Sequence, residues 1–277
     1  MKQQHNKKRE TAQGKSVQKM DLVHSQFNLD CVLVKHIHFE CIDSTNTWAK
    51  LHPEQWDVKG LTLITASEQR GGRGRFKRHW ISPPHLNIYA TFCFWLDLQR
   101  TDMGHIPQVL AISAAQILEC QGFSPTIKWP NDLLLQGKKV GGILCETILE
   151  NGQRGIVCGI GLNINMPMEM LTQIDRPATS LLVEKKQSFD VAILLNSLKE
   201  CFLINLNHFL DKGFSPFFPL LKERSALKQG EKVCFHDNQT FIMAHFEYLH
   251  PDGSVELRLS NGMLKTFYAG EFIYNSP

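Results

Sequence analysis

The segment from Ala66 to Trp80, ASEQRGGRGRFKRHW, combines glycines and basic residues in a pattern that suits anion binding. Its glycines let backbone amides approach a ligand closely. Arg73 and Arg75 carry forked N–H donors that match carboxylate or phosphate. Neither GxxxxGK[ST] nor GxGxxG spacing is present. The segment therefore predicts a lid that orders around an anion, and an exposed basic linker is the alternative.

A second group of polar residues is KWPND, residues 128–132. Lys128 is expected to be extended, because a following proline disfavours helix. Since apolar Ile127 and Trp129 flank it, its charge should face a cavity or a partner. Asn131 and Asp132 could brace a turn, and Asp132 could also hold a metal or a hydroxyl. A surface turn with a solvated lysine is the alternative.

Three further motifs give weaker signals. Gly141 and Gly142 interrupt the strand-like run KKVGGILCE, which indicates either close approach by a ligand or a β-bulge. Asn163, in GIGLNIN, is an uncharged donor and acceptor that could contact a nucleotide. The residues DSTN, 43–46, suit a helix N-cap, and those not used for capping could hydrogen-bond a small polar ring.

Other catalytic patterns are missing from the sequence. It contains no HExxH, GxSxG or CxxC motif and no Cys/His pair suited to nucleophilic catalysis. His36 and His38 alternate along one strand face without an obvious third metal ligand. The eight cysteines mostly lie in apolar runs, which predicts buried free thiols and a cytoplasmic protein.

Composition argues against a nucleic-acid-binding protein. The 277 residues contain 30 Lys and Arg against 27 Asp and Glu, for a net charge of +3. This balance is too mild for a protein that binds by neutralising many phosphates. No apolar run is long enough for a membrane span, and no signal peptide is evident. We therefore expect neither DNA nor membrane as a partner.

Around these motifs, the order of strands and helices predicts an α+β fold. Strands are expected at 31–40, 60–66 and 86–96, followed by a helix over 107–121. A strand meander comes next, with turns at Gln136-Gly137 and Asn151-Gly152, and then a helix from Asp190 to Gly213. Five short strands after about residue 229 suggest a small β-barrel. The predicted divisions are a disordered extension over 1–28, a catalytic domain over 29–226 and a barrel domain over 227–277.

The chain resembles the biotin protein ligase family in five motifs that occur in the same order, DSTN, SEQRGGRGRFKRHWISP, KWPNDL, KVGGILCE and GIGLNIN. The resemblance runs from about residue 35 to the C-terminus and includes AGE at 269–271. It implies a catalytic domain similar to class II aminoacyl-tRNA synthetases and an SH3-like barrel. It also implies a ligase that converts biotin and ATP into biotinyl-5′-AMP and pyrophosphate, then biotinylates a lysine of a carboxyl carrier protein of acetyl-CoA carboxylase or a related carboxylase.

The resemblance assigns roles to individual residues. Lys128 and Arg75 match the catalytic positions, with Lys128 between the biotin carboxylate and the α-phosphate. The implied biotin contacts are Ser44, Thr45, Asn46, Gln69, Arg73, Gly74, Arg75, Lys128, Gly141 and Gly142. The implied nucleotide contacts are Arg75, Trp80, Asn131, Lys139 and Asn163. Mg²⁺ is expected on the phosphates, without a dedicated protein metal site.

Some features depart from the family or leave other readings open. Phe76 and Lys77 replace the basic or glycine residues of some relatives, and no adenine contact besides Asn163 is evident near MPMEMLTQIDRPATSL, residues 166–181. A lipoate ligase or octanoyl transferase and a nucleic-acid-binding module are the rival functions. A repressor is disfavoured, because the polar segment before the first strand is too short for a helix-turn-helix domain. A monomer or weak homodimer is expected.

Overall fold

The computed structural model describes residues 34–273 of the chain. The predicted disordered extension, residues 1–28, lies outside the described residues, as does the predicted strand start at residue 31. No helix within the described range is long and apolar enough to cross a membrane.

A seven-stranded mixed sheet forms the centre of the larger part. Its strands lie in the order β1-β2-β3-β7-β6-β5-β4. β1 and β2 run parallel, and the other neighbours are antiparallel. The predicted α+β class is therefore confirmed. The strands are β1 (Val34–Ile42), β2 (Leu61–Gln69), β3 (Ile88–Leu96), β4 (Thr126–Lys128), β5 (Asp132–Leu135), β6 (Lys138–Glu150) and β7 (Gln153–Leu162).

Two long helices, α2 and α5, pack on each other and bury most of their apolar residues with the sheet. The Asp190 side chain caps α5 by accepting hydrogen bonds from the backbone N–H groups of Ala192 and Ile193, and Gly213 ends the helix at φ 70°. Both ends of α5 agree with the prediction. The described helices are α1 (Thr45–Leu51), α2 (Ile106–Cys120), α3 (Met168–Leu171), α4 (Leu181–Lys185), α5 (Val191–Lys212) and α6 (Phe218–Glu223).

The predicted tight turns join β5 to β6 and β6 to β7. Asn151 and Gly152 take φ values of 49° and 74°, and Gln136 and Gly137 take 49° and 76°. Two successive residues in the left-handed backbone conformation match the twist of the flanking strands. Asn-Gly favours such hairpins because both residues adopt this conformation readily.

A five-stranded antiparallel sheet follows, in the order β11-β10-β9-β8-β12. Phe235 lies at its apolar centre, with ring centroids 4.7 Å from Phe267 and 5.0 Å from Phe272. Trp129 contacts this unit through a 2.7 Å hydrogen bond from Nε1 to the Gly253 carbonyl. The KWPND motif therefore lies where the two sheets meet. The strands are β8 (Lys232–His236), β9 (Phe241–Leu249), β10 (Val255–Leu259), β11 (Leu264–Phe267) and β12 (Glu271–Ile273).

The prediction of buried thiols holds only in part. Cys93, Cys158 and Cys234 are buried, whereas Cys120 is exposed at the end of α2. It lies in the last turn of the helix beside exposed Glu119, on the side that faces solvent. All seven cysteines in the described range are free.

Candidate active site

A cavity of about 360 Å³ opens between the start of α1, strands β6 and β7, and the Gly/Arg segment, which comprises residues 66–80. Its size lies within the range of small-molecule sites. The cavity brings together motifs that are up to 227 positions apart in the chain, from Ser44 to Glu271. The sequence-predicted residues on its wall are Ser44, Thr45, Asn46, Gln69, Arg73, Gly74, Arg75, Trp80, Asn131, Lys139, Gly142 and Asn163.

Two predicted site residues, Lys128 and Gly141, are not part of the cavity wall. Lys128 is buried at the end of β4, paired in register with Asp132 of β5. Gly141 points the other way from Gly142, because side chains alternate along a strand. A side chain at Gly141 would meet Leu162, so this glycine serves packing against the core.

One end of the cavity is a network of neutral polar groups. Thr45 donates to Gln69 Oε1 from its backbone N–H (2.9 Å) and from its hydroxyl (3.1 Å). Gln69 Nε2 in turn donates to Ser82 Oγ at 3.1 Å. Thr91 Oγ1 donates to Asn46 Oδ1 at 2.7 Å. Since these side chains are largely buried and bonded to each other, their orientations are fixed before any ligand arrives.

Asn46 is held from its other side as well. Its Nδ2 donates to the Leu144 carbonyl (3.0 Å) and to Glu146 Oε2 (3.2 Å). A Cβ at Gly159 would overlap the Asn46 amide. The glycine of GIGLNIN therefore makes room for the amide of DSTN, so the two motifs depend on each other.

Glu146 does not line the cavity, but it bonds to two residues that do, Asn46 and Arg73, and the sequence predicted no role for it. Its carboxylate accepts from Lys50 at 2.6 Å and from Arg73 at 3.0 Å, besides Asn46. Burial alone would raise the pKa of Glu146, but hydrogen bonds from Lys50 and Asn46 and the Arg73 charge together lower it. The residue stands in KKVGGILCE, two positions beyond Leu144, and its spacing alone gave no indication of these partners.

The other end of the cavity is cationic, and the C-terminal sheet contributes to it. Arg75 donates to Asn131 Oδ1 at 3.1 Å and to the Gly270 carbonyl at 2.9 Å. Arg78 pairs with both carboxylate oxygens of Glu271, at 2.5 and 2.7 Å. The AGE segment thus anchors the Gly/Arg segment from the far side of the cavity. Neither Arg78 nor Glu271 was predicted as a site residue.

Lys139 and Lys128 add charge at this end. Lys139 Nζ lies 2.7 Å from Asp132 Oδ1. Burial lowers the pKa of Lys128, and the nearby Lys139 and Arg176 charges lower it further, while Asp132 and Glu271 act in the opposite sense. A further anion in the cavity would favour the charged form of this lysine.

Trp80 forms a flat wall near these charges. Its indole covers Gly161, where any Cβ would collide with the ring, and Lys139 Nζ lies 5.4 Å from the ring centroid. The buried Nε1 atom has no hydrogen-bond partner among the residues of the 34–273 range. A buried N–H of this kind is available to a ligand.

A further wall comes from the segment that yielded no adenine contact in the sequence. Gln173, Ile174, Asp175, Arg176 and Ala178 line the cavity. The backbone beside them is fixed to β6: Lys139 N–H donates to the Pro177 carbonyl, and Thr179 N–H donates to the Lys139 carbonyl, both at 2.9 Å. Asn163 supports this arrangement, because its Nδ2 donates to the Thr179 carbonyl at 3.0 Å.

No cluster of three or more metal-ligating side chains occurs in the described part of the chain. His36 and His38 hydrogen-bond the same hydroxyl, Thr65 Oγ1, at 2.8 and 2.9 Å. The cavity as a whole can bind a neutral polar group at one end and anionic groups at the other.

Residues 38–163 match the biotin/lipoate A/B protein ligase family. The chain is 36% identical to the biotin--[acetyl-CoA-carboxylase] ligase of Paracoccus denitrificans over 234 residues, which is 78% of this chain and 91% of that protein. It is 35% identical to the bifunctional ligase/repressor BirA of Escherichia coli over 242 residues, 85% of this chain and 72% of that protein. For the BirA proteins of Bacillus subtilis and Bacillus spizizenii, the match spans only 65% and 54% of their length.

Among solved structures, the biotin protein ligase from Aquifex aeolicus in complex with biotin and ATP matches with a TM-score of 0.71 and 29% identity. The match covers 86% of this chain and 97% of that one. The motifs on the cavity wall, the sequence relatives and the shared fold agree, and the chain belongs to the biotin/lipoate A/B protein ligase family.

Proposed function

We propose that this chain is a biotin protein ligase. It would use ATP to convert biotin into biotinyl-5′-AMP and pyrophosphate, and then biotinylate a lysine of a biotin carboxyl carrier protein. The observation that carries the proposal is the cavity with a neutral hydrogen-bonding end and a cationic end. The names of the Paracoccus and Aquifex relatives support the same activity.

The neutral end suits the ureido ring of biotin. A urea carbonyl accepts hydrogen bonds and its two N–H groups donate them, so it needs both kinds of partner. The side chains of Ser44, Thr45, Asn46 and Gln69 offer both. Because Asn46 and Gln69 are held by protein partners, they can recognise the ring with little loss of conformational freedom.

The cationic end suits the reacting anions. Adenylation brings a carboxylate against the α-phosphate, and their mutual repulsion opposes attack. Lys128 and Arg75 would reduce this repulsion and stabilise the charge that develops on the phosphate oxygens. The biotin carboxylate forms a bond to phosphorus, and the bond to the β-phosphate oxygen breaks to release pyrophosphate. No covalent enzyme intermediate is needed.

The described residues are compatible with a Mg²⁺ ion carried by the nucleotide. Mg²⁺ commonly binds one or two carboxylates plus substrate phosphates and keeps several waters. The Asp132 and Glu271 carboxylates lie at the cationic end and would be the protein ligands. The ion would supply further neutralisation of phosphate charge.

The Gly/Arg segment would protect the mixed anhydride from water until the carrier lysine arrives. Trp80 and Asn163, with Lys139 and Asn131, would hold the adenylate part. The lysine amine of the carrier would then attack the biotinyl carbonyl and displace AMP. Retention of the intermediate depends on Arg75, because it joins the segment to Asn131 and to the Gly270 carbonyl.

We further propose a catalytic domain over 29–226, similar to class II aminoacyl-tRNA synthetases, and an SH3-like barrel over 227–277. The return of β12 to pair with β8 and the irregular register between β9 and β10 support curvature of the small sheet. Free cysteines support a cytoplasmic location. A monomer or weak homodimer without DNA or membrane partners completes the proposal.

Mass spectrometry after incubation with biotin, ATP and Mg²⁺ tests the function. The wild-type protein should form biotinyl-AMP, and Lys128→Ala should form almost none. A parallel reaction with lipoate addresses the rival lipoate ligase, which the same family includes. Adenylate from lipoate but not from biotin would contradict the proposal, as would the absence of any adenylate.

A further inference from the structure

Five basic side chains line the cavity, and most of them are bound to buried or anchored partners. They are Arg73, Arg75, Arg78, Lys139 and Arg176. The carboxylates that hold three of them are well covered: the side chains of Glu146, Glu271 and Asp132 are 20%, 11% and 14% exposed. Arg75 is held by an amide and by a backbone carbonyl.

Arg176 differs from the other four. It pairs with the adjacent Asp175 through two bonds of 2.8 and 3.1 Å, and that carboxylate is 78% exposed. An exposed ion pair contributes little to stability. Arg176 can therefore exchange its partner for a ligand anion at less cost than Arg73, Arg78 or Lys139.

The position of Arg176 is nevertheless fixed. The next residue, Pro177, accepts a hydrogen bond from the Lys139 N–H, and Thr179 donates back to the Lys139 carbonyl. The hydrogen bond with Asp175 does most to raise the pKa of Arg176, and the charges of Glu271 and Asp132 raise it further. Arg176 thus lies within electrostatic reach of the same acids that surround Lys128.

We propose that Arg176 binds the β- and γ-phosphates of ATP, the part that leaves as pyrophosphate. This inference rests on the proposed function, since it takes Lys128 to lie beside the α-phosphate. The β- and γ-phosphates extend beyond the α-phosphate, so they need a cation that lies away from the neutral end and can exchange its partner. A guanidinium group suits this role because it forms paired hydrogen bonds with phosphate oxygens. Asp175 would return to Arg176 when pyrophosphate leaves.

Calorimetric titration of Arg176→Gln tests the proposal with three ligands: α,β-methylene-ATP with saturating biotin, inorganic pyrophosphate, and a non-hydrolysable biotinyl-adenylate analogue. We expect binding of the first two to weaken about tenfold, whereas the adenylate analogue, which lacks both phosphates, binds within about twofold of wild type. Equal affinities for all three ligands would overturn the proposal. So would an equal loss for the adenylate analogue, because Arg176 would then contact the adenylate itself.

Further variants separate charge from fold. Arg176→Lys keeps the charge and should recover most of the affinity for α,β-methylene-ATP and pyrophosphate. It also tests the proposal if Arg176→Gln is too unstable to be measured. Asp175→Asn removes the competing carboxylate, so it should bind α,β-methylene-ATP more tightly, whereas weaker binding would indicate a structural role for the pair. Arg258→Gln, which breaks an ion pair with Glu247 on the small sheet and outside the cavity, is the control. If wild type forms no biotinyl-AMP while Arg176→Gln still loses pyrophosphate binding, the proposed function fails and Arg176 keeps only its role as a pyrophosphate contact.

Discussion

The two ends of the cavity hold their polar groups in different ways. At the neutral end, Asn46 and Gln69 bond mainly to uncharged groups and to backbone, with one bond from Asn46 to the Glu146 carboxylate. At the cationic end, Arg78, Lys139 and Arg176 pair with carboxylates of the protein itself. The neutral end is preorganised, whereas the cationic end holds its charges with anions that a substrate can replace.

This difference follows from the cost of burial. Neutral amides and hydroxyls can be buried at small cost once they are hydrogen-bonded. Several cations cannot share a cavity without anions, because an unpaired buried charge is strongly unfavourable. Substitutions at the neutral end should therefore lower the affinity for biotin. Substitutions at the cationic end should lower the affinity for the nucleotide and the rate of adenylation.

The largest effect is expected from Lys128→Ala. Loss of the ammonium beside the reacting anions should slow biotinyl-AMP formation about 10³-fold, measured by single-turnover quench. As the pH rises, the wild-type rate should fall when Lys128 loses its proton. Because the pKa of Lys128 is lowered, this fall should begin at a lower pH than for an ordinary lysine. Lys138→Ala, an exposed lysine at the start of β6, is the control. A Lys128→Ala rate within tenfold of wild type would remove this lysine from the chemistry.

Arg75→Ala should have the next largest effect, on retention of the intermediate. Losing two charge-assisted bonds should raise the release rate of biotinyl-AMP about 10²-fold, measured by filtration after one turnover. Labelling of added non-carrier proteins should rise in parallel. Arg70→Ala removes a charge from the same segment outside the cavity wall and should retain the intermediate. Equal release by both variants would show that only the net charge of the segment matters.

A pair of glycine substitutions compares the two ends directly. In Gly159→Ala the new methyl displaces the Asn46 amide, and in Gly161→Ala it displaces the Trp80 ring. The first should raise the KM for biotin about tenfold and the second the KM for ATP by a similar factor. Gly104→Ala, with open space around its Cα, is the control. Equal changes in both KM values for either variant would mean that the ends are not separate sites.

The smallest effect concerns Glu146, which joins the neutral end to Arg73. Its pKa is lowered in the folded protein, so the carboxylate stabilises the fold above its unfolded value of about 4.3. That contribution is lost as the pH falls through the lowered folded value. Glu146→Gln should therefore unfold more easily at pH 7 by about 1 kcal/mol, and the difference should shrink as the pH is lowered through the acid range, as followed by urea denaturation. Glu150→Gln, at the exposed end of the same strand, should show no such change, and a difference that does not vary with pH would contradict the assignment.

Local sequence features predicted much of the fold. Asn151-Gly152 fixed a hairpin because the left-handed conformation it requires suits those residues, and Asp190 and Gly213 marked both ends of α5 through capping. The neighbours that are not joined by tight turns were not predictable, since pairing of β1 with β2 and of β3 with β7 depends on long-range contacts.

The site shows the same division. Polar and glycine-rich motifs such as DSTN and KWPND are recognisable from their residue types, and twelve predicted residues line the cavity. The sequence did not predict roles for Glu146 and Glu271, because their partners lie 73 or more positions away in the chain. Arg176 was not predicted either, because its segment reaches the cavity through backbone hydrogen bonds to β6. Gly141 was assigned to the site because a Gly-Gly pair does not reveal which member faces the cavity.

The most direct measurement is biotin-dependent exchange of labelled pyrophosphate into ATP, since it reports reversible adenylate formation without any carrier protein. With Mg²⁺ present, the wild-type protein should show exchange with biotin, none without it and none with lipoate, and Lys128→Ala should lose exchange while keeping its fold. Exchange that does not require biotin, or that is supported by lipoate instead, would contradict the account of this cavity as the site of biotinyl-AMP synthesis.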